Sequence, residues 1–434
     1  MENITVKFGG SSLADAGQFR KVAAIIHADP QRKYVVVSAP GRRHSGDIKV
    51  TDLLYRACDC AGSEEFPSVM AEIKARFEDI SKELGIEAEL GLDEIAENIQ
   101  NGAGADYCAS RGEYLNAKLM ARFLDRPFLD AADYIFFRAD GSFDAQRTDE
   151  ALQEVLKDLP GAVIPGFYGS MPDGSIRTFS RGGSDITGSL VARAAASVCY
   201  ENWTDVSGIL ATDPRIIPEA VPIERITYRE LRELAYMGAT VLHEDAIFPV
   251  RTAGIPIRIR NTNAPEEPGT IIVKDASGFE APAVTGIAGK KDFSIIHIEK
   301  DQMNETAGFV HRVVEPICRR GISIEHMPTG IDSLSVVVPS AQLRDCRTEL
   351  LCDIRDAVSP DIILVENDLA MIAVVGRGMV RRKGIAAKLF SALAKADINI
   401  RMIDQGSGEL NIIVGVDSVD YMRAIRALYN AFFA

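Results

Sequence analysis

The stretch ITVKFGGSS, residues 4–12, carries the pattern that decides the fold of the first part of the chain. A short apolar run ends on a pair of glycines, and a helical pattern with one apolar face follows. The next segment, YVVVSAP at residues 34–40, is a continuous β-branched run of the kind that is buried in parallel sheets. The order strand, glycine turn, helix, strand predicts a βαβ unit.

The same alternation continues to about residue 275. Further strands are predicted at residues 162–167, 201–206, 256–261 and 270–273, with helical patterns between them. Strands that alternate with helices in this way predict a three-layer α/β domain. The segment near residues 275–283 is rich in glycine, proline and small residues, which is typical of a linker.

The last third of the chain contains an internal repeat, with a shift of 76 residues and no gap. FSIIHI at 293–298 aligns with LAMIAV at 369–374, and Gly308 aligns with Gly384. Each copy has the order strand, loop with glycine, helix, strand, turn, strand, so one βαββ unit occurs twice. Residues 284–292 precede the first copy, and we expect them to add a strand to the sheet of the second copy.

Charge and cysteine content exclude several classes of protein. The net charge of −14 at pH 7 argues against a nucleic-acid binder that works by bulk electrostatics. No apolar run approaches the length of about 18 residues that spans a bilayer, so no membrane partner is expected. Seven scattered cysteines favour reduced thiols in a cytoplasm. Neither the cysteines nor the histidines have the spacing of metal ligands, so no metal site is predicted.

Two glycine loops are candidates for a site that binds phosphate or another anion. In the first, Lys7 precedes Gly9 and Gly10, whose backbone N–H groups can approach phosphate oxygens while the lysine neutralises a transferring phosphoryl group. The alternative is a tight turn with a solvated lysine. In the second, SRGGSD at 180–185 precedes a helical pattern, and a helix N-terminus suits an anion. Asp185 is alternatively an ordinary N-cap.

A third motif, WTDVSG at 203–208, follows a predicted strand. It places Thr204 and Asp205 at the carboxyl end of that strand, where nucleotides bind in open α/β sheets. Arg215 would then be available to phosphates, although a plain strand and turn is the alternative. Arg111, Gly112 and Glu113 open a helix, a signal that is weak by itself.

Together these motifs resemble the aspartate kinase family, amino-acid kinases with C-terminal ACT regulatory domains. KFGGSS, SRGGSD and WTDVSG are similar to its catalytic motifs, and INIRMIDQGSGELNI at 398–412 is similar to its regulatory motif. The resemblance covers nearly the whole chain. It implies a three-layer amino-acid-kinase-like sheet sandwich followed by two ferredoxin-like βαββ (ACT) units. The implied domains are a kinase domain over 1–280, a first ACT domain over 293–364, and a second made of 284–292 and 365–434.

The resemblance implies a reaction in which ATP, with Mg²⁺, phosphorylates the β-carboxylate of L-aspartate, and Lys7 and Asp185 act as catalytic residues. The residues implied to bind ATP are Lys7, Gly9, Gly10, Ser38, Thr204, Asp205 and Arg215. Those implied to bind aspartate are Thr51, Glu113, Phe167, Arg181 and Ser184, with Glu113 on the α-ammonium and Arg181 on the α-carboxylate. Many members have a lysine near the nucleotide where this chain has Thr240.

The paired ACT units imply feedback regulation by an amino acid, with lysine favoured and threonine the alternative. They also imply a homodimer or homotetramer. The implied effector site includes Asn304, Thr306, Ala307, Gly308 and Phe309, with Ile324 and Glu325 opposite them.

Two other functions compete with this interpretation. The first is phosphorylation of a different small acid such as glutamate, against which the ACT pair and the QGSGELNI motif argue. The second is a non-catalytic amino-acid sensor that keeps the fold. Thr240 favours that sensor, whereas Lys7, Arg181 and Asp185 argue against it.

Overall fold

The computed structural model describes residues 2–180, 182–239, 242, 244–275, 281–380 and 382–434. The chain divides into two compact units. Unit 1 comprises Met1–Ile209, Pro222–Tyr228 and Val241–Ala276, and unit 2 comprises Leu210–Val221, Arg229–Thr240 and Ser277–Ala434. Two segments that the sequence assigned to a domain over 1–280, namely 210–221 and 229–240, therefore lie in unit 2.

Unit 1 contains a sheet of seven strands in the order β3-β2-β1-β6-β8-β9-β7. The strands of this unit are β1 (Ile4–Phe8), β2 (Arg32–Val37), β3 (Ala162–Pro165), β4 (Tyr168–Ser170), β5 (Ile176–Thr178), β6 (Cys199–Thr204), β7 (Arg225–Thr227), β8 (Ile257–Asn261) and β9 (Thr270–Val273). In the first five strands of this sheet order, β3-β2-β1-β6-β8, neighbouring strands are parallel, and β9 runs antiparallel to β8. The predicted strands are confirmed, whereas β7 and the β4–β5 hairpin were not predicted.

Helices cover both faces of this sheet. They are α1 (Ala16–His27), α2 (Val50–Asp59), α3 (Phe66–Leu84), α4 (Leu92–Gln100), α5 (Ala105–Leu124), α6 (Ala145–Lys157), α7 (Gly183–Ala194) and α9 (Glu244–Ala253). Helix α8 (Tyr228–Tyr236) begins at the end of a unit 1 segment and belongs to unit 2 from Arg229 onward. Val35 and Val37 of β2 pack with the core of α1–α5, whereas Val36 packs with α6 and α7. Successive side chains of one strand are thus buried on opposite faces, which confirms three layers.

Unit 2 contains a five-stranded sheet in the order β11-β10-β12-β14-β13. Its strands are β10 (Gly286–Glu299), β11 (Ser333–Pro339), β12 (Ile362–Val375), β13 (Met402–Asp404) and β14 (Asn411–Asp417). Its further helices are α10 (Phe309–Arg319), α11 (Ser340–Leu343), α12 (Arg347–Val358), α13 (Ile385–Lys395) and α14 (Tyr421–Phe433). Among the helices that the structure describes, none has the length and apolar character that crossing a bilayer requires.

The internal repeat appears in the structure as predicted, with one exception. The helices α10 and α13 begin after Gly308 and Gly384, which are both N-caps with left-handed φ angles of 76° and 90°. The first half of β10 pairs with the second half of β12, so residues 284–292 do supply a strand to the second copy. Residues 322–327 were expected to be a strand, but they form only an isolated bridge at His326.

The need for glycine at the N-cap of a repeat helix can be tested at Gly384. At Gly384 an added Cβ meets no atom, so the left-handed φ is the only obstacle to a side chain. We expect Gly384→Ala to destabilise unit 2 by about 1 kcal/mol, and Gly384→Asn to cost less because asparagine tolerates this conformation. Urea denaturation measures both variants. Gly406→Ala is the control, since Gly406 is also uncrowded and lacks a positive φ, and an equal loss there would contradict this explanation.

Candidate active site

The carboxyl ends of five parallel strands, from β3 to β8, lie at one edge of the unit 1 sheet. Lys7 on β1 lies in register between Val36 of β2 and Asn202 of β6. The glycine turn after β1, Ser38 after β2 and Asp205 after β6 all begin at this edge. Segments that are distant in the chain are therefore brought together where ligands bind in open α/β sheets.

An ion pair joins the two glycine motifs. Lys7 Nζ lies 2.6 Å from Asp185 Oδ1, and Asn202 Nδ2 donates a hydrogen bond of 3.0 Å to the same oxygen. Lys7 is buried, so the alternative of a solvated lysine is wrong. The N-cap of α7 is Gly182, and Asp185 lies in the first turn, so the N-cap alternative is wrong too. Sequence reasoning missed Asn202, whose signal is a polar side chain within a buried strand.

A cavity of about 540 Å³ opens at this edge. From the predicted set, its lining includes Gly10, Ser38, Thr51, Glu113 and Asp205. The segment between β2 and α2 forms another part of the wall. Its lining residues, for which the motifs imply no role, include Gly41, Arg42, His44, Ser45 and Lys49. The cavity thus joins the predicted nucleotide residues to the predicted aspartate residues.

Glu113 is a buried acid without a cation. It is 6% exposed, and its Oε2 atom has no hydrogen-bond partner among the described residues. Burial raises the pKa of Glu113 to about 8, although the backbone of Ala39 and the charge of Lys7 act in the opposite direction. Glu113 also lines the cavity, and a buried carboxyl with an atom that lacks a partner is suited to a ligand that supplies one.

Arg111, two residues before Glu113, is enclosed by aromatic rings. The guanidinium of Arg111 lies 4.6 Å from the ring centroid of Tyr107, 4.4 Å from that of Tyr114 and 5.3 Å from that of Tyr168. These contacts anchor the helix α5 that carries Glu113. No sequence pattern predicts this cage, because its rings come from two separate segments.

Ser184 lies in the first turn of α7, and Phe167, between β3 and β4, packs against that turn. Phe167 has a φ of 83°, a strained conformation for a residue with a side chain, and its N–H donates to Thr187 Oγ1 at 3.1 Å. Its ring packs so closely that a Cβ on Gly183 would come within 2.5 Å of it. A Cβ on Gly166 would likewise come within 2.5 Å of Ser184. This crowding holds the N-terminus of α7 in place.

The remaining predicted residues are placed as follows. Gly9 N–H donates to the carbonyl of Trp203 at 3.0 Å, and Thr204 Oγ1 donates to Asp205 Oδ1 at 3.2 Å. Arg215 lies in the unit 2 segment 210–221 with an exposed side chain, and its Nη2 is 2.7 Å from Asp213 Oδ2. Its contact with a nucleotide stays a prediction. Arg181 and Thr240 lie outside the described residues.

The predicted effector residues all lie in unit 2, and those from Asn304 to Phe309 lead into the start of α10. Asn304 lies in a 3₁₀ turn, and Thr306 and Ala307 lead to the N-cap Gly308 and to Phe309, the first residue of the helix. Ile324 and Glu325 lie in the segment that reaches β11, where Glu325 N–H donates to Val337 O at 2.9 Å. The carboxylate of Glu325 already has a partner, since Tyr236 Oη donates to its Oε2 at 2.6 Å.

The unit 1 site can bind an anion beside a cation. Backbone N–H groups of the glycine turn, the N-terminus of α7 and Lys7 suit the anion, and Glu113 suits the cation. Within the described ranges, no group of three histidine, cysteine, aspartate or glutamate side chains could hold a metal ion. A divalent cation bound here would therefore take further ligands from a substrate and from water, as Mg²⁺ commonly does.

Comparisons with known proteins agree with these features. Residues 4–261 match the amino acid kinase family, and residues 372–432 match an ACT domain. The chain is 37% identical to aspartokinase 3 of Bacillus subtilis, over 99% of this chain and 98% of that protein. A crystal structure of aspartate kinase from Clostridium acetobutylicum is 47% identical, with a TM-score of 0.90 and full coverage of both chains. Escherichia coli aspartokinase III, solved with aspartate and ADP and with lysine and aspartate, is 26% identical over both full chains, with TM-scores of 0.74 and 0.73.

The raised pKa of Glu113 predicts a pH-dependent stability. The folded protein holds this proton up to about pH 8, whereas the ordinary pKa is 4.5, so stability falls as pH rises between these values. We expect Glu113→Gln to remove a slope of up to about 1.4 kcal/mol for each pH unit and to be more stable than wild type at pH 8. Chemical denaturation from pH 5 to pH 8.5 measures this. Glu97→Gln, at an exposed position on α4, is the control, and an unchanged slope in Glu113→Gln would refute the prediction.

Proposed function

The chain belongs to the aspartokinase family, and from this we propose that it transfers the γ-phosphoryl group of ATP to the β-carboxylate of L-aspartate. The product would be β-aspartyl phosphate, the first intermediate of aspartate-family amino-acid biosynthesis. Full-length similarity to aspartokinases makes the chain an aspartate kinase. The observation that carries the proposed reaction is the pair of Lys7 and Asp185 at the carboxyl edge of the sheet.

The acceptor needs no activation by a base. The β-carboxylate of aspartate has an ordinary pKa of about 3.9 and is ionised at neutral pH. The protein therefore has to align two anions and neutralise the charge that develops between them. Lys7 supplies a cation at the glycine turn, and Asp185 and Asn202 fix the position of its ammonium group.

Glu113 would bind the α-ammonium of aspartate. Glu113 lines the cavity and its Oε2 has no hydrogen-bond partner among the described residues, and an ammonium beside the carboxyl would return it to its ionised form. Thr51 lines the same cavity and offers a hydroxyl group to aspartate, and Ser38 lines it as a proposed contact of ATP. The roles proposed for Phe167 and Ser184 rest on their places against and within the first turn of α7. The role of Arg181 on the α-carboxylate rests on its motif alone.

ATP would lie along the glycine turn, with Gly9, Gly10, Thr204 and Asp205 as its contacts, and the role of Arg215 rests on its motif alone. A complex of the Escherichia coli relative with aspartate and ADP supports this use of the fold. Mg²⁺ would neutralise charge on the phosphates when bound. Asp185 and Asp205 are acidic groups at this edge of the type that this ion prefers.

We also propose that an amino acid regulates the enzyme through unit 2, with lysine favoured and threonine the alternative. The effector would bind at residues 304–309, opposite Ile324 and Glu325. A complex of the Escherichia coli relative with lysine and aspartate supports lysine. The hydrogen bond from Tyr236 to Glu325 means that an effector ammonium would compete with a phenol for the same carboxylate. Assembly into a homodimer or homotetramer through the ACT units is part of this proposal.

An acyl-phosphate assay with hydroxylamine tests the reaction. We expect turnover with ATP and aspartate, and a decrease of about 10²–10³-fold or more in Lys7→Ala, because the cation at the transferring group is lost. Lys33→Ala, near the amino end of β2, is the matched control. Wild-type turnover of glutamate and not aspartate would refute the substrate, and full activity of Lys7→Ala would remove Lys7 from the mechanism.

Titration with lysine and with threonine tests the regulation. Inhibition by lysine should weaken in Glu325→Gln, which loses the charge for the ammonium. It should strengthen by about threefold to tenfold in Tyr236→Phe, which removes the competing hydrogen bond. Activity without effector is measured alongside for both variants. Absence of inhibition by millimolar lysine would exclude lysine, and inhibition by threonine instead would establish the alternative.

A further inference from the structure

The segment Gly41–Lys49, here called the clamped loop, forms one wall of the cavity. Arg42 and Lys49 line that cavity with exposed side chains. Neither side chain makes an ion pair or hydrogen bond with another described residue. Two cationic side chains that have no partner among the described residues thus line a pocket whose proposed substrates are anions.

The clamped loop is held by a buried guanidinium from outside the pocket. Arg76 on α3 is 4% exposed, and its Nη1 donates to Asp47 Oδ2 at 2.7 Å. Its Nη2 donates to the carbonyls of Gly41, at 2.5 Å, and Ala14, at 3.4 Å. Arg43 holds the same carboxylate through both oxygens, and hydrogen bonds from Arg43 and Arg76 keep the pKa of Asp47 well below its usual range.

The clamped loop also lies directly against the glycine turn that follows β1. Gly41 N–H donates to the carbonyl of Gly10 at 2.8 Å. A Cβ on Gly10 would come within 2.8 Å of Ala39 O, and a Cβ on Gly41 would come within 2.6 Å of the Gly10 carbonyl carbon. The backbone around Arg42 is therefore fixed relative to the proposed phosphate-binding turn.

A charge count at the site shows why further cations are needed. The ammonium of Lys7 is already paired with Asp185, so that pair is neutral overall. The proposed reaction brings a carboxylate against a triphosphate, and two anions approach only where cations offset their repulsion. Arginine binds phosphate oxygens in a bidentate manner and lysine binds them as a point charge, and both stay charged at neutral pH.

We propose that Arg42 and Lys49 bind the phosphoryl group that is transferred, and that Asp47 and Arg76 are positioning residues that hold the clamped loop in place for this contact. The proposal rests on the proposed function, since it names the γ-phosphate of ATP as the ligand. A specific contact of this kind can be distinguished from an ordinary solvated surface charge by its selectivity among ligands. The effect should be specific to the terminal phosphate, whereas a solvated charge affects all ligands weakly and equally.

Calorimetric titration without aspartate tests this contact. Mg²⁺–ATP and Mg²⁺–ADP are titrated into the full-length wild type, Arg42→Gln and Lys49→Gln. We expect the affinity for ATP to fall by about tenfold in each variant, as for loss of a hydrogen bond to a charged group, and the affinity for ADP to fall much less. The affinity for aspartate alone should not change. Lys33→Gln removes the same charge near the amino end of β2 and should match wild type.

The positioning role needs its own test. Asp47→Asn keeps the shape of the side chain and removes its charge, and we expect the same selective loss of ATP affinity over ADP affinity. Combined with Arg42→Gln, it should weaken ATP binding by less than the product of the two single effects, because both act on one contact. A purely structural role would lower the thermal midpoint and weaken both nucleotides equally. Arg76→Lys, which keeps a cation at the clamp, should restore part of the selectivity lost in Arg76→Met.

The outcomes separate this proposal from the proposed function. Unchanged ATP affinity in both Arg42→Gln and Lys49→Gln overturns the proposal, even when wild type phosphorylates aspartate. A loss of aspartate affinity with normal ATP affinity also overturns it, because the loop would then hold the carboxylate. A third outcome separates the two proposals. If the variants lose affinity for ATP but not for ADP, while wild type binds ATP without phosphorylating aspartate, the phosphate contact is supported and the proposed function is refuted.

Discussion

The ion pair of Lys7 and Asp185 is the interaction on which the site depends. A buried ammonium requires a partner, because the desolvation of an unpaired charge is expensive. Lys7 meets this requirement through a carboxylate from the first turn of α7, and Asn202 on the neighbouring strand holds that carboxylate in turn. The register of β1 with β6 and the position of α7 are thereby coupled to one another, and the proposed reacting groups would lie where these elements meet.

Glycine serves this site chiefly by allowing close approach. At Gly112 a Cβ would come within 2.7 Å of Ala39 Cβ, so only glycine lets α5 approach the end of β2 closely enough for Glu113 to reach the cavity. Gly10 and Gly41 meet in the same way. At Gly10 and Gly41 the wall of the cavity is therefore backbone packed on backbone. A rigid wall of this kind reduces the reorganisation that ligand binding requires.

The two copies of the repeat in unit 2 share strands. The strands β10 and β12 each run through both copies, because residues 286–290 pair with 371–375 while residues 293–299 pair with 362–369. The helix α8, which the sequence placed in the kinase domain, is also bound here. Glu230 accepts from Thr285 Oγ1 at 2.7 Å, and Glu233 accepts from Asn411 Nδ2 at 2.6 Å. The part of α8 that belongs to unit 2 is thus held by the repeat.

The local pattern of the sequence determined the strands, the order of elements and the repeat. Apolar periodicity and glycine position are local features that extend over about ten residues, so they can be recognised in the sequence without a structure. The motifs also indicated that Lys7, Asp185 and Glu113 belong to one site. Only the tertiary structure decided that Asn202 holds Asp185, that Arg76 on α3 reaches the loop beside Gly10, and that α8 belongs to unit 2. These contacts join residues far apart in the chain, and no local propensity specifies such a partner. They depend on how the sheet stacks its strands and on how closely the helices pack against them.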